Sequence, residues 1–339
     1  MDQQQLIALC GMDESVRSLV GLYCRELPAE MELEKWFSGI TFDALRPEVS
    51  CLAAALASAD EYSHAPAALA PRLRGIMRYV HTLNSGMMAG LCALGKRFHE
   101  AGIPTALSGG TAVHLGYPQP PRRHIWQAEI IVPEADFSQA SALAAEEGFT
   151  VQMTPYSATA RNGNTQCVVI RKGGQLAPET TALTANGVPF RMPGSGDLLV
   201  NLAEAGFRLL SAAEPGAKLV PPIMDLHCVI TAGPDWKRAG AAAAERNTAG
   251  QVRLVLELYN SLAPNILNKN TLDAFGAEAS AAHLARLLPE YRKLKPGGSR
   301  LKRLWLSAQA KSGQTPSATL RVFLKDLFRM GKRKLTPKN

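Results

Sequence analysis

Between Leu6 and about Glu100, apolar residues recur at steps of three and four, the spacing that lines one stripe of an α-helix. The longest stripe lies in "RLRGIMRYVHTLNSGMMAGLCALGKRFHEAG", where Ile76, Tyr79, Val80, Leu83, Met87, Leu91, Leu94 and Phe98 share a face. Gly102 follows where a helix C-terminus favours glycine. The period then changes. "IPTALSGG" reads as a short strand entering a glycine turn, "TAVHLGYP" as a short helix and "IWQAEIIV" as a second strand. "EADFSQASALAAEEGF" has acids in its first turn and Gly148 after its last, the polarity of a helix. "TQCVVIRKGG" and "GVPFRM" read as a third and a fourth strand. Helical spacing returns at "LLVNLAEAGFRLL", with Asp197 as its expected N-cap and Leu198, Leu199, Leu202, Leu209 and Leu210 as its stripe. It continues through "KLVPPIMDLHCVI", "DWKRAGAAAAERN" and "QVRLVLELYNSLAP".

These changes divide the chain into an N-terminal helical region (1–102), an α/β core (103–192), a C-terminal helical region (193–290) and a basic helical tail (291–339). The fold class that follows is α+β. Charge sharpens the division: of the net +8, residues 291–339 carry +13, with Asp326 their one acid, and the first 290 residues carry −5. With Trp305, Phe323 and Phe328 interleaved, the tail is a candidate RNA or anionic-partner surface. An apolar fraction of 46% is enough for a real core.

The six cysteines, Cys10, Cys24, Cys51, Cys92, Cys167 and Cys228, show no metal-ligand spacing, so reduced, mostly buried thiols are expected. The start "MDQQQLIALCGMDESVRSLV" has no basic segment followed by an apolar run, and no window reaches the ~18 apolar residues of a membrane helix. A cytoplasmic protein is the expectation.

The chemistry lies in "GIPTALSGGTAVHLGYP", a basic pair, and "HIWQAEIIVPEADFSQASALAAEEGF". Their order resembles the uncharacterised bacterial nucleotidyltransferases of the DNA polymerase β-like superfamily, where a "G-G-T-A" turn, a "Y-P" and an Arg precede "D-x-D-L-L-V" and a helix. "GVPFRMPGSGDLLVNLAEAGF" and "IMDLHCVITAGPDWKRAG" are similar to the family's helical half, so the resemblance spans roughly residues 70–265. It implies a nucleotidyltransferase-like palm, a small mixed β-sheet between N- and C-terminal helical regions, and a site for Mg²⁺ and an NTP. Carboxylates at i and i+2 of a strand point to one face and can share metal ions that bridge a triphosphate. A glycine turn lets backbone N–H groups approach phosphates.

Carried over by residue, the resemblance places Ser108, Gly109, Gly110 and Thr111 at the phosphate turn and Arg123 at the basic residue before the strand, these five as the nucleotide-binding set, and Glu129 at the second metal carboxylate. Gln127 stands at the first, where an amide is a much poorer Mg²⁺ ligand. The strand expected to supply the third acid, "QCVVIRK", offers Val168 or Val169. The resemblance thus implies degenerate metal carboxylates and a protein that binds a nucleotide, a peptide or a partner protein, with Glu129 and Gln127 as what is left of the catalytic set. Two other readings stay open. One is an active Mg²⁺-dependent enzyme moving an NMP to a small-molecule, peptide or protein hydroxyl; the other is an RNA-binding or scaffold protein acting through its tail.

Competing features carry less. Glu134 and Asp136 suit a helix first turn. Asp225 and His227, two apart on a helix, do not face one another, so a buried or capping role is expected. The remaining histidines show no ligand spacing, no G-x-S-x-G is present, and "KPGGSR" lacks P-loop spacing.

Overall fold

The computed structural model describes residues 3–25, 30–59, 62–63, 65–163, 166–173, 180–212, 214–264, 266–276 and 278–292. The proposed RNA surface at 291–339 lies outside them, apart from the helix end at 291–292.

Five helices come first: α1 (Gln3–Cys10), α2 (Glu14–Cys24), α3 (Glu30–Ser38), α4 (Pro47–Ala59) and α5 (Ala70–Glu100). The central stretch is β1 (Ala106–Leu107), α6 (Gly109–Gly116), β2 (Ala128–Pro133), α7 (Phe137–Glu146), β3 (Thr150–Met153), β4 (Ser157–Asn162), β5 (Gln166–Gly173), β6 (Thr180–Ala185) and β7 (Val188–Pro193). Helices follow: α8 (Ser195–Leu210), α9 (Val220–Thr231), α10 (Trp236–Glu245), α11 (Ala249–Leu262), α12 (Lys269–Asp273) and α13 (Glu278–Arg292). The fold is α+β, with a mixed sheet between helical stretches.

Contacts group the described residues into two compact units, one within 14–202 and 220–235, the other within 3–13, 203–219 and 236–292. In the second unit α1 packs with α11 and α13. Its buried Arg253 is satisfied by Glu257 at 2.8 Å and by the Gly276 carbonyl at 2.6 Å. Arg292 donates to the Leu9 and Leu210 carbonyls, both at 2.6 Å, which fixes the end of α13.

The first unit holds the sheet, in the order β3-β4-β5-β2-β1-β7-β6. The pairs β2–β5 and β1–β7 are parallel and the others antiparallel. The alternating pattern of β2 buries Ala128, Ile130 and Val132 on the face that Val168 and Ile170 also line. This is the face that α5 and α7 cover: Gly90 of α5 lies against the Gln166 side chain, Gly95 against Phe190, and Lys172 over the Phe137 ring of α7. Glu129, Val169 and Arg171 belong to the other face.

α5 ends as its glycine predicts. Gly102, at φ +74°, donates to the His99 carbonyl and Ile103 to that of Phe98, with Phe98 and Ile103 both buried: a Schellman motif with its hydrophobic contact. Along α5 the buried positions include Leu73, Val80, Asn84, Met87, Leu91, Leu94 and Phe98. Tyr79, assigned to this stripe from spacing, is 64% exposed, because one residue's step from Val80 turns it about 100° round the helix.

Three strands, β3, β4 and β6, escape the sequence pattern. They are short and carry few β-branched apolar residues, so pairing of β3 with β4, β4 with β5 and β6 with β7 rather than periodicity defines them. Asp197 is also displaced: α8 begins at Ser195, so Asp197 lies in its first turn, buried, where its charge complements the helix dipole. Among the described residues no helix is long and apolar enough to cross a membrane. All six cysteines are free thiols.

Candidate functional site

β1 runs out at Leu107 into Ser108, and α6 starts at once on Gly109. Ser108 continues the pairing with β2 by donating its N–H to the Glu129 carbonyl at 3.0 Å. The Glu129 N–H is taken by the hydroxyl of Thr111, 2.9 Å away in the first turn of α6. Gly109 sits at φ +54°, a conformation costly for a side chain, and a Cβ there would lie 3.4 Å from the Glu129 carboxylate. The glycine turn and Glu129 are thus one local unit. Thr111→Val should leave the Glu129 N–H without its acceptor and cost about 1–3 kcal/mol, read by urea denaturation; an unchanged midpoint would refute the role.

Gln127 lies just before β2 rather than within it, a correction to the expected strand. The chain here leaves the sheet because Asn84 of α5 holds it: Asn84 donates to the Arg123 carbonyl at 2.8 Å and accepts from the Ile125 N–H at 2.9 Å. The side chain still reaches Glu129, with the amide nitrogen donating to Oε1 at 2.8 Å.

The larger finding is Arg171. In the parallel pairing Glu129 stands beside Val169, so valine occupies the position at which the resemblance places an acid. Two residues on and on the same face, Arg171 donates from Nε to Glu129 Oε2 at 2.9 Å and from Nη2 to Oε1 at 3.0 Å. The fork is bidentate, the strong geometry for guanidinium and carboxylate. This hydrogen bonding raises the Arg171 pKa above its ordinary value, against the opposing effect of burial. Sequence reasoning overlooked Arg171; the signal that would have found it is its i+2 relation to Val169 on the strand paired with β2.

Arg123 is buried and engaged within the protein. Nε donates to Asp225 Oδ1 at 2.8 Å, Nη2 to Oδ2 at 2.5 Å and Nη1 to the His124 carbonyl at 2.9 Å. The pair lies against Gly110, where a Cβ would come within 1.8 Å of Arg123 Nη2 and 2.7 Å of Asp225 Oδ2. In this structure it is the ion pair that requires glycine at 110. Burial, with the Arg123 charge second, lowers the pKa of His114 on α6. Asp225 and His227 divide as their helical spacing implies, Asp225 to Arg123 and His227 edge-on to the Tyr23 ring at 5.3 Å.

A separate cavity of about 830 Å³ is lined by Tyr23, Tyr117, Gln119, Pro120, His227 and Cys228 among others. Burial pushes the Cys228 thiol up to about 11, and it donates to the Gln119 carbonyl at 3.7 Å, which makes it no nucleophile at neutral pH. Among the described residues no three His, Cys, Asp or Glu side chains gather as a metal site would need.

No protein-family model matches the chain, and no curated protein sequence matches it. Among solved structures the chain is similar to "ANT(2")-Ia in complex with adenylyl-2"-tobramycin", at 16% identity over 45% of this chain and 92% of that one, with a TM-score of 0.34. It is similar to an antigenic nucleotidyltransferase-like protein from Paracoccidioides brasiliensis at 15% identity, over 56% and 93%, with a TM-score of 0.38. It is also similar to a tRNA nucleotidyltransferase complexed with a primer tRNA and an incoming ATP analog, at 13% identity over 73% and 88%, with a TM-score of 0.22.

Proposed function

We propose that the chain is a nucleotidyltransferase-fold protein in which an internal ion pair has replaced metal chemistry, and that it works by binding rather than by nucleotidyl transfer. The observation that carries this reading is the bidentate Arg171–Glu129 pair. Mg²⁺ asks for near-octahedral oxygen ligands at about 2.0–2.1 Å. Here one carboxylate is available, both its oxygens already accept from Arg171, and Gln127 turns its N–H toward the same group. A divalent ion entering would lose those hydrogen bonds and meet a guanidinium charge. The side chains do not fit Mg²⁺. Ser108, Gly109, Gly110 and Thr111 are, in this reading, the scaffold that keeps Glu129 in place, and Arg123 the buried brace behind Gly110. The cytoplasmic location is part of the same proposal.

Titration calorimetry with ATP, CTP, GTP and UTP, each with Mg²⁺ and with EDTA, tests it. The expected heats do not depend on Mg²⁺. Binding to any of the four that requires Mg²⁺ and is lost in Glu129→Ala would overturn the reading and restore the active-enzyme alternative.

A further inference from the structure

We infer that the sheet face bearing Arg171 recognises a chain of phosphate groups without a metal ion, with Arg171 and Arg161 as the contacting cations. The inference rests on the reading above that Glu129 holds a guanidinium and no metal.

Residues directly opposed across paired strands share a face, and so do residues two apart on one strand. By register, Ser157 lies beside Arg171, Thr159 beside Val169, Val169 beside Glu129, and Arg161 beside Cys167. All belong to the face opposite α5 and α7, and Arg161 and Gln152 on it are exposed. Glu129 is the one acid among these positions, and Arg171 already compensates it. Arg161 makes no ion pair among the described residues. Arg171 uses Nε and Nη2 on Glu129, while Nη1 has no partner among the described residues. Between the two arginines lie the uncharged Val169 and Thr159. Four residues along β5 separate their rows, about 13 Å at the backbone. Because Arg171 is held toward Glu129 on β2 while Arg161 stands on β4, the other neighbour of β5, a ligand that touches both has to reach across β5, which suits several linked phosphates.

Glu129 acts here as a positioning residue. A guanidinium locked by a bidentate carboxylate has already lost its rotamer freedom, so an arriving anion does not have to order it. Arginine presents fork-like donors that match phosphate oxygens. Arg171 thus offers a pre-aligned donor fork, while the net positive charge of these positions comes from Arg161.

The probes are inorganic tripolyphosphate and ATP, titrated in EDTA into the full chain. Both should bind, and Arg171→Met and Arg161→Met should each weaken them at least tenfold, with Arg171→Lys between native and Met. Equal affinity for the two probes assigns recognition to the phosphate chain; tighter ATP adds a nucleoside contact. Glu129→Gln, which removes a nearby negative charge while preserving shape, should tighten binding. Circular dichroism of each variant confirms folding. Absence of binding to either probe, with or without Mg²⁺, overturns this inference and leaves the metal-free reading standing. Binding only with Mg²⁺, abolished by Glu129→Gln, overturns both. A single-stranded oligonucleotide bound over a hundredfold tighter than ATP overturns the polyphosphate assignment.

Discussion

Asp225→Ala should destabilise the protein by about 3–5 kcal/mol, a large share of the roughly 5–15 kcal/mol that keeps a typical domain folded. Asp225 and Arg123 are 3% and 9% exposed, and the truncation leaves a buried guanidinium with only the His124 carbonyl. The pair joins positions 102 residues apart, tying α9 to the segment that enters β2. Gly110→Ala should act by the same route, because its new methyl group occupies the space of Arg123 Nη2 and pushes the fork off Asp225. The double variant Arg123→Met/Asp225→Leu should lose less than the two single changes together, since no charge is then stranded; the coupling is expected at about 0.5–3 kcal/mol. Urea denaturation with a constant m-value measures each of these variants. Single losses under about 1 kcal/mol that simply add would show that the pair is not held away from water.

The same pair shows how far the sequence could be read. Helical periodicity located α5 and its glycine stop, because both depend on local spacing. The α+β class followed from the change of period after Gly102. Glu129 and its glycine turn were visible because strand, turn and helix succeed each other within about twenty residues. What stayed hidden depends on contacts remote in sequence. Arg171 meets Glu129 across 42 positions, and only the β2–β5 register puts it there. That Gly110 also lies against the Arg123–Asp225 pair was not legible, because Asp225 lies far along the chain. Gln127 read as a strand residue because Asn84, which draws the chain off the sheet, belongs to a different helix. The edge strands β3 and β6 have mostly exposed or half-exposed residues, so alternation of burial had little to mark them.

Replacing both Gln127 and Arg171 by Asp should create a divalent-cation site around Glu129. The two changes place acids on either side of Glu129, at positions whose side chains already touch its carboxylate. They also remove the guanidinium that competes for it. Without metal, three clustered carboxylates repel one another, so the variant should be less stable than the native chain. With Mn²⁺ or Mg²⁺ at a hundredfold excess over the dissociation constant, binding should return about 2.7 kcal/mol to the folded state. The native protein should show no such metal-linked shift in melting temperature, and Arg171→Asp alone only a partial one, because Gln127 still donates rather than accepts. Manganese electron paramagnetic resonance counts bound ions independently of stability. A double variant that folds yet binds no Mn²⁺ would mean that the sheet does not converge these side chains as a metal centre requires, and Glu129 would lose its claim to a metal-carboxylate ancestry. A variant that binds Mn²⁺ tightly would leave Arg171 and Gln127 as the residues that keep the native site free of metal.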